Sequence, residues 1–105
     1  MASYSVTGGQ RAAYGKTPVA SVVDTVAFDR RLDTVRVVND TGTAAIFVTV
    51  DRTTPTVDGA GTYRVRAIAG DYVDIQVDNA DLDAAPTVVK LISSGTPTYS
   101  VEGAT

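Results

Sequence analysis

Hydrophobic and polar residues alternate along several short segments of this chain. The clearest is Tyr72–Asp78, in which Val73, Ile75 and Val77 are separated by acidic and amide residues. Successive side chains of a β-strand point to opposite faces of its sheet, so this pattern predicts a strand with one buried face and one face in water.

The same reasoning predicts six further strands, separated by turns that contain Gly, Pro, Asp and Ser. They are Val19–Phe28, Thr34–Asn39, Ala44–Asp51, Thr62–Ile68, Thr87–Ile92 and Thr98–Glu102. Two hairpins are expected, one around residues 40–43 and one around Ser94-Gly95, because Gly readily adopts the backbone angles of tight turns.

One segment is open to two interpretations. In Val19–Phe28, four valines at positions 19, 22, 23 and 26 match the spacing of a helical stripe, and Thr17-Pro18 could begin a helix. Every residue of that stripe is β-branched, which suits a pleated strand better than a helix, so a strand is predicted.

Composition supports an all-β fold. The chain of 105 residues contains 17 Val and 15 Thr but only three Leu, whereas a helical domain would use more Leu, Glu and Lys. No segment longer than ten residues supports a helix, which excludes a parallel sheet with helical crossovers. We therefore predict a single β-sandwich of about seven short, mostly antiparallel strands over residues 19–105.

Residues 1–18 are expected to form an extended N-terminal arm. They contain Gly, Ser and Thr without a period, and they end at Thr17-Pro18. Such a segment could simply be a frayed terminus. Its apolar residues Tyr4, Val6 and Tyr14 make an arm that contacts a neighbouring subunit a competing hypothesis, since linkers seldom carry aromatic residues.

Charge and hydropathy narrow the classes of partner. Nine basic residues against 12 acidic ones give a net charge of −3, which disfavours binding to a phosphate backbone. No apolar stretch reaches the roughly 20 residues needed to cross a membrane, and residues 1–10 lack the pattern of a secretion signal. The expectation is a protein made in a cytoplasm that binds neither nucleic acid nor membranes.

The residues that usually perform chemistry are scarce. There is no His and no Cys, so the usual base that activates a nucleophile is missing, as are the commonest metal ligands. Gly15-Lys16-Thr17 resembles the end of a phosphate-binding loop but lacks its first Gly. The acidic turn Asp78–Asp83 lacks the Gly and Glu of a calcium loop. We expect no catalytic residues, no cofactor and no metal.

Two features indicate contacts with other proteins. Arg outnumbers Lys by seven to two, and Arg64 and Arg66 share one face of a predicted strand. Some predicted strands also carry apolar residues on both faces, such as Ile46 with Phe47. Such strands need cover from the arm or from a partner, so a homo-oligomer is expected.

Three segments resemble small virion proteins of tailed phages of actinobacteria. They are Val35–Asp51, Thr54–Val65 and Val88–Gly103, and the last, VVKLISSGTPTYSVEG, is the most specific of the three. The resemblance implies a structural part of the virion, such as a capsid decoration protein or a head–tail or tail component. It implies no catalytic residues.

These observations lead to a ranked set of hypotheses. The first is a capsid decoration protein that binds the major capsid protein or other virion proteins, and a head–tail connector or tail-tube component is the alternative within that class. A carbohydrate-binding module is the alternative from another class. It would require exposed aromatic residues, whereas Tyr63 and Tyr99 are predicted to point inward. An enzyme is the weakest option.

Overall fold

A computed structural model describes residues 2–7, 12–77 and 86–104 of the chain. Within these residues the protein consists of strands, turns and loops, without a helix. The nine strands are β1 (Ser3–Val6), β2 (Ala12–Lys16), β3 (Asp24–Phe28), β4 (Thr34–Asn39), β5 (Ile46–Thr49), β6 (Tyr63–Val65), β7 (Asp71–Gln76), β8 (Val88–Ser93) and β9 (Tyr99–Ala104).

The strands form two packed sheets, so the protein is a β-sandwich, as predicted. The five-stranded sheet has the order β1-β3-β8-β5-β6, and the four-stranded sheet has the order β2-β9-β4-β7. All pairings between the described strands are antiparallel except that of β1 with β3. β1 and β2 lie at one side of the sandwich, and β6 and β7 lie at the other.

The core lies between the sheets and is built from every second residue of the strands. Val35 and Val37 of β4 pair with Ile75 and Val73 of β7, and their side chains face the other sheet. Tyr72, Asp74 and Gln76 alternate with these residues and are exposed. The predicted alternation of inward and outward side chains in this strand is therefore confirmed over residues 72–77.

Neither predicted hairpin exists. β4 and β5 follow each other along the chain but lie in different sheets, and so do β8 and β9. The connections between them are arches that cross from one sheet to the other. The Gly-containing turns were recognised correctly, but a turn sequence does not reveal whether the next strand pairs with the previous one or packs across from it.

Asn39 holds two arches together, the one between β4 and β5 and the one between β6 and β7, since β6 and β7 also lie in different sheets. Its side-chain amide Nδ2 donates hydrogen bonds to the carbonyl oxygens of Ala44 and Arg66, at 2.8 and 3.0 Å, and its Oδ1 accepts one from the Gly42 backbone at 2.9 Å. The side chain is fully buried. It therefore ties the β4–β5 arch to the β6–β7 arch.

Gly42 allows the two arches to pack closely. It has a φ of 68°, and a Cβ atom at this position would overlap the backbone of Ala69 in the neighbouring arch. Only glycine meets both requirements, since other residues are strained at positive φ and carry the atom that would clash.

The expectation of a separate N-terminal arm is wrong for the described residues. β1 pairs with β3 in one sheet, and β2 pairs with β9 in the other. Val6 is only 2% exposed and lies in the core. The segment was misread because its strands are short and contain Ser and Gly, and because Gly15 introduces a bulge in β2.

The segment with two interpretations contains no helix. Only Asp24–Phe28 is a strand, while residues 20 and 21 form a turn in which Ser21 has a φ of 60°. The backbone N–H of Ser21 bonds to the carbonyl of Ser93 at 2.7 Å, which fastens this turn to the end of β8.

The doubly apolar strand β5 is covered by its own chain. Phe47 on the outer face pairs with Ile92, and both are buried by residues of the same chain. The segment after β5 folds back over this face, because Thr49 Oγ1 donates to the Thr53 carbonyl and Lys90 Nζ donates to the Arg52 carbonyl. This strand therefore needs no partner subunit to cover it.

Candidate protein-contact surface

The outer face of the four-stranded sheet is the candidate contact surface among the described residues. β-strand alternation places on it the side chains whose neighbours along each strand enter the core. They are Tyr14 of β2, Thr34, Arg36 and Val38 of β4, Tyr72, Asp74 and Gln76 of β7, and Ser100 and Glu102 of β9. We call this set the outer sheet face.

Tyr72, Arg36 and Asp74 form a preorganised group at the centre of β4 and β7. Arg36 donates from Nε to Asp74 Oδ1 at 2.7 Å and from Nη2 to Oδ2 at 3.0 Å, which is a bidentate pair. The same guanidinium lies 4.2 Å from the ring centroid of Tyr72. Both interactions are possible because antiparallel pairing sets Arg36 opposite Asp74 and beside Tyr72.

The charges of this pair stabilise each other. The hydrogen bond with Asp74 raises the pKa of Arg36, and the hydrogen bond from Arg36 lowers the pKa of Asp74. Both side chains remain about half exposed, at 44% and 46%. The pair is screened by water, so its main effect is to fix the two side chains in one geometry.

Next to this pair lies a shallow depression of about 310 Å³, lined by Thr34, Arg36, Asp74, Glu102 and Gly103. Tyr14, at the opposite edge of the sheet, is 66% exposed, and Tyr72 is 51% exposed. The surface thus offers aromatic, cationic and acidic groups on a rigid support. Arginine and tyrosine are the side chains that protein interfaces most often use as anchors.

The predicted contact residues fall in different places. Tyr14 is exposed on the outer sheet face, but Val6 is in the core, and the half-buried Tyr4 packs against the core with Lys16 Nζ 4.7 Å from its ring. Arg64 and Arg66 are exposed on the other side of the sandwich. They are not brought together with Tyr14, and Arg66 is held by Asp71.

The most informative residue of the outer sheet face was not singled out from the sequence. Arg36 was counted only among the seven arginines, Asp74 was placed on the exposed face of its strand, and Tyr72 was not assigned to a face. Their contact depends on which two strands pair, and alternation within one strand carries no information about that. Only the register of β4 against β7 reveals the group.

A buried acid was also missed. Asp24 is 1% exposed, and its carboxylate accepts hydrogen bonds from the Tyr99 hydroxyl at 2.8 Å and from the Ala2 backbone at 3.3 Å. Burial, together with Asp24, raises the pKa of Tyr99 far above its usual range. The alternation of the strand indicated this burial, because Asp24 lies two and four residues before the inward-facing Val26 and Phe28.

This buried pair has a structural role. Tyr99 Oη and Asp24 join β9 to β3 across the core, and the Ala2 contact fixes the start of β1. Neither side chain faces solvent, so no substrate could reach them. Within the described residues, no group of three or more acids could hold a metal ion, and no helix could cross a membrane. The acidic turn Asp78–Asp83 lies outside these residues.

The similarity of this chain to solved structures is weak. No protein-family model and no curated protein sequence matches it. The pre-peptidase C-terminal domain of a collagenase from Bacillus anthracis superposes with a TM-score of 0.47 at 9% identity, covering 96% of this chain and 91% of that one. A periplasmic inhibitor of g-type lysozyme from Salmonella Typhimurium superposes with a TM-score of 0.42 at 18% identity, covering 96% and 95%. Similarity at this level assigns no function.

Proposed function

We propose that this protein is a non-enzymatic structural component of a phage particle, most simply a capsid decoration protein that binds the major capsid protein through its outer sheet face. The observation that carries the binding role is the Tyr72–Arg36–Asp74 group. A stacked, bidentate arginine has already lost most of its side-chain freedom, so docking on it costs little further entropy.

The location in a virion is supported by the sequence resemblance described above. Two of the three resembling segments, Val35–Asp51 and Val88–Gly103, supply β4, β5, β8 and β9, which are four of the five inner strands of the two sheets. A head–tail connector or tail-tube component would share this fold and this surface. The two locations differ in the partner that the outer sheet face would meet.

The test is binding to particles of the phage that encodes the protein. The purified chain should sediment with particles that lack it, and Tyr72→Ala or Arg36→Ala should weaken binding by about 30-fold, equivalent to a hot-spot loss of about 2 kcal/mol. Tyr63→Ala is the matched control, because Tyr63 is 46% exposed but lies on β6 of the other sheet.

Two results would contradict the proposal in different ways. Failure of the wild-type chain to bind capsids or tails would remove the virion role. Binding that is equally strong for the Tyr72, Arg36 and Tyr63 variants would keep that role but reject the outer sheet face as the contact. Electron microscopy of the decorated particle would then separate a capsid location from a head–tail location.

A carbohydrate-binding role is the second candidate, and exposed tyrosines favour it. Tyr63 was expected to point inward, yet it is about half exposed, as is Tyr72, and Tyr14 is more exposed still. Sugars stack on such rings. However, Arg36 covers one face of Tyr72, and Tyr14 lies across the sheet from it. Saturable binding to a defined glycan, lost in Tyr14→Ala, would support this alternative over capsid binding.

A further inference from the structure

β7 is a free edge of the four-stranded sheet, since β4 is its only pairing partner among the described strands. Its pairing is regular over six residues, from Thr34–Gln76 to Asn39–Asp71. The Val77 N–H bonds to the Asp33 carbonyl, so the odd-numbered residues of β7 bond to β4. The backbone groups of Tyr72, Asp74 and Gln76 therefore point away from the sheet.

Other described edges are less suited to pairing. β1 has four residues and β6 has three, while β2 is interrupted by a bulge between Ala13 and Lys16. Proteins protect edge strands with short length, bulges, proline or charge. On β7 the one central charge is Asp74, and Arg36 already neutralises it at 2.7 Å. Within residues 71–76 the usual protection is thus missing.

We propose that β7 pairs with β7 of a second copy of this chain, joining the two four-stranded sheets across a two-fold axis. A second copy fits because an antiparallel strand on a two-fold axis presents the same free backbone groups that β7 presents. The exposed Tyr63 of β6, on the same side of the sandwich, adds apolar area beside the junction. The proposal does not depend on the virion role or on where in a particle the protein lies.

The side chains select one register. Two registers keep the outer sheet faces of both copies on one side and pair five of the six residues of β7. One sets Asp74 opposite Asp74, and the other sets Tyr72 opposite Asp74. The first sets two carboxylates, each already bonded to its own Arg36, directly opposite each other, and neither can donate a hydrogen bond to the other. In the second, the backbone of Tyr72 in each copy exchanges hydrogen bonds with the backbone of Asp74 in the other copy. It places Val73 on the two-fold axis, opposite Val73 of the second copy.

This register leads to a cross-linking experiment. The chain has no Cys, so Val73→Cys introduces a single thiol. Across a non-hydrogen-bonded pair the two Cα atoms lie about 4.5 Å apart, within the range that a disulfide spans. Val73→Cys should form a covalent dimer under mild oxidation. In this register Gln76 lies six residues, or about 20 Å, along the strand from Gln76 of the second copy, so Gln76→Cys should form no covalent dimer.

Removing the backbone donor gives an independent test. Tyr72→Pro should abolish the dimer in sedimentation equilibrium, because proline lacks the N–H that faces the second copy, while a proline at a free edge is compatible with folding. Tyr72→Ala keeps that N–H and should retain the dimer. Circular dichroism checks that each variant is folded.

Several outcomes would overturn the proposal. A wild-type chain that stays monomeric at high micromolar concentration would do so, as would a dimer that survives Tyr72→Pro. Cross-linking through Asp74→Cys but not Val73→Cys would reject the register. If Val73→Cys does not fold, the sedimentation of the wild-type and Tyr72 variants still decides whether β7 pairs.

Discussion

Asn39 is expected to be the polar side chain whose loss destabilises the sandwich most clearly. It makes three hydrogen bonds, to the backbones of Ala44, Arg66 and Gly42, and it is fully buried. At about 1 kcal/mol for each bond, Asn39→Ala should lower the free energy of unfolding by about 3 kcal/mol. A domain of this size has about 5–15 kcal/mol in total, so the effect is large.

The corresponding fall in melting temperature is about 12–24 °C, since 1 kcal/mol is equivalent to about 4–8 °C in a domain of up to 100 residues. The chain has no Trp, so urea unfolding is best followed by circular dichroism and by the fluorescence of its five tyrosines. Both probes should give one transition with an unchanged dependence on urea concentration.

Two control variants make the result specific. Thr41 lies in the same arch and accepts one hydrogen bond from the Thr98 backbone at 2.9 Å in an exposed position. Thr41→Ala should cost about 1 kcal/mol or less. Asn39→Asp keeps the shape but turns a carboxylate oxygen toward two carbonyls, so at neutral pH it should be at least as damaging as Asn39→Ala. If Asn39→Ala and Thr41→Ala unfold at the same urea concentration, Asn39 does not join the arches energetically.

Three further predictions use the same unfolding measurements. Val6→Ala should lower the free energy of unfolding by about 2 kcal/mol because Val6 of β1 lies in the core. An unchanged urea midpoint would instead support a separate N-terminal arm. Ile75→Asp should cost about 3 kcal/mol or more, whereas Gln76→Asp should change stability by about 0.5 kcal/mol or less, and equal effects would refute the register of β7. Arg36 lowers the pKa of Asp74 below 3.8, so the stability from this pair is present above that pH and is lost as the pH falls through the lowered pKa. Asp74→Asn should therefore flatten the decline in melting temperature between about pH 4 and pH 2.

The strands themselves were predictable because alternation reports burial directly. Residues 34–39, 71–76 and 88–93 are strands at or within one or two residues of the predicted bounds. The pattern works there because each of these strands is long enough to show at least two repeats of the period. β1 shows the same alternation in Ser3-Tyr4-Ser5-Val6, but four residues among Ser and Gly resemble a linker.

The sheet to which each strand belongs was not predictable, and neither was the contact surface. A period of two separates the two faces of a strand but does not identify its neighbours. Asn39 offered one clue, since it continues the inward stripe of Val35 and Val37 with a polar residue that must find partners. Tyr63 shows a second limit of the alternation pattern. It lies two residues before the buried Val65 and should point inward, but β6 is a short edge strand, so the ring remains about half exposed.

The arches also have a consequence for how the chain folds. β5 and β6 are the only described strands that are consecutive in sequence and paired, and 13 residues separate them. The described strands form no tight hairpin that could act as a local nucleus. Nearly all of their pairings must therefore close long loops first, which is typical of slow, millisecond-to-second folding. β9 lies between β2 and β4, so the four-stranded sheet cannot close until the ribosome has made almost all of these 105 residues. Until then β4 keeps an unpaired edge on the growing chain, and an exposed strand edge of this kind makes a folding intermediate prone to aggregation.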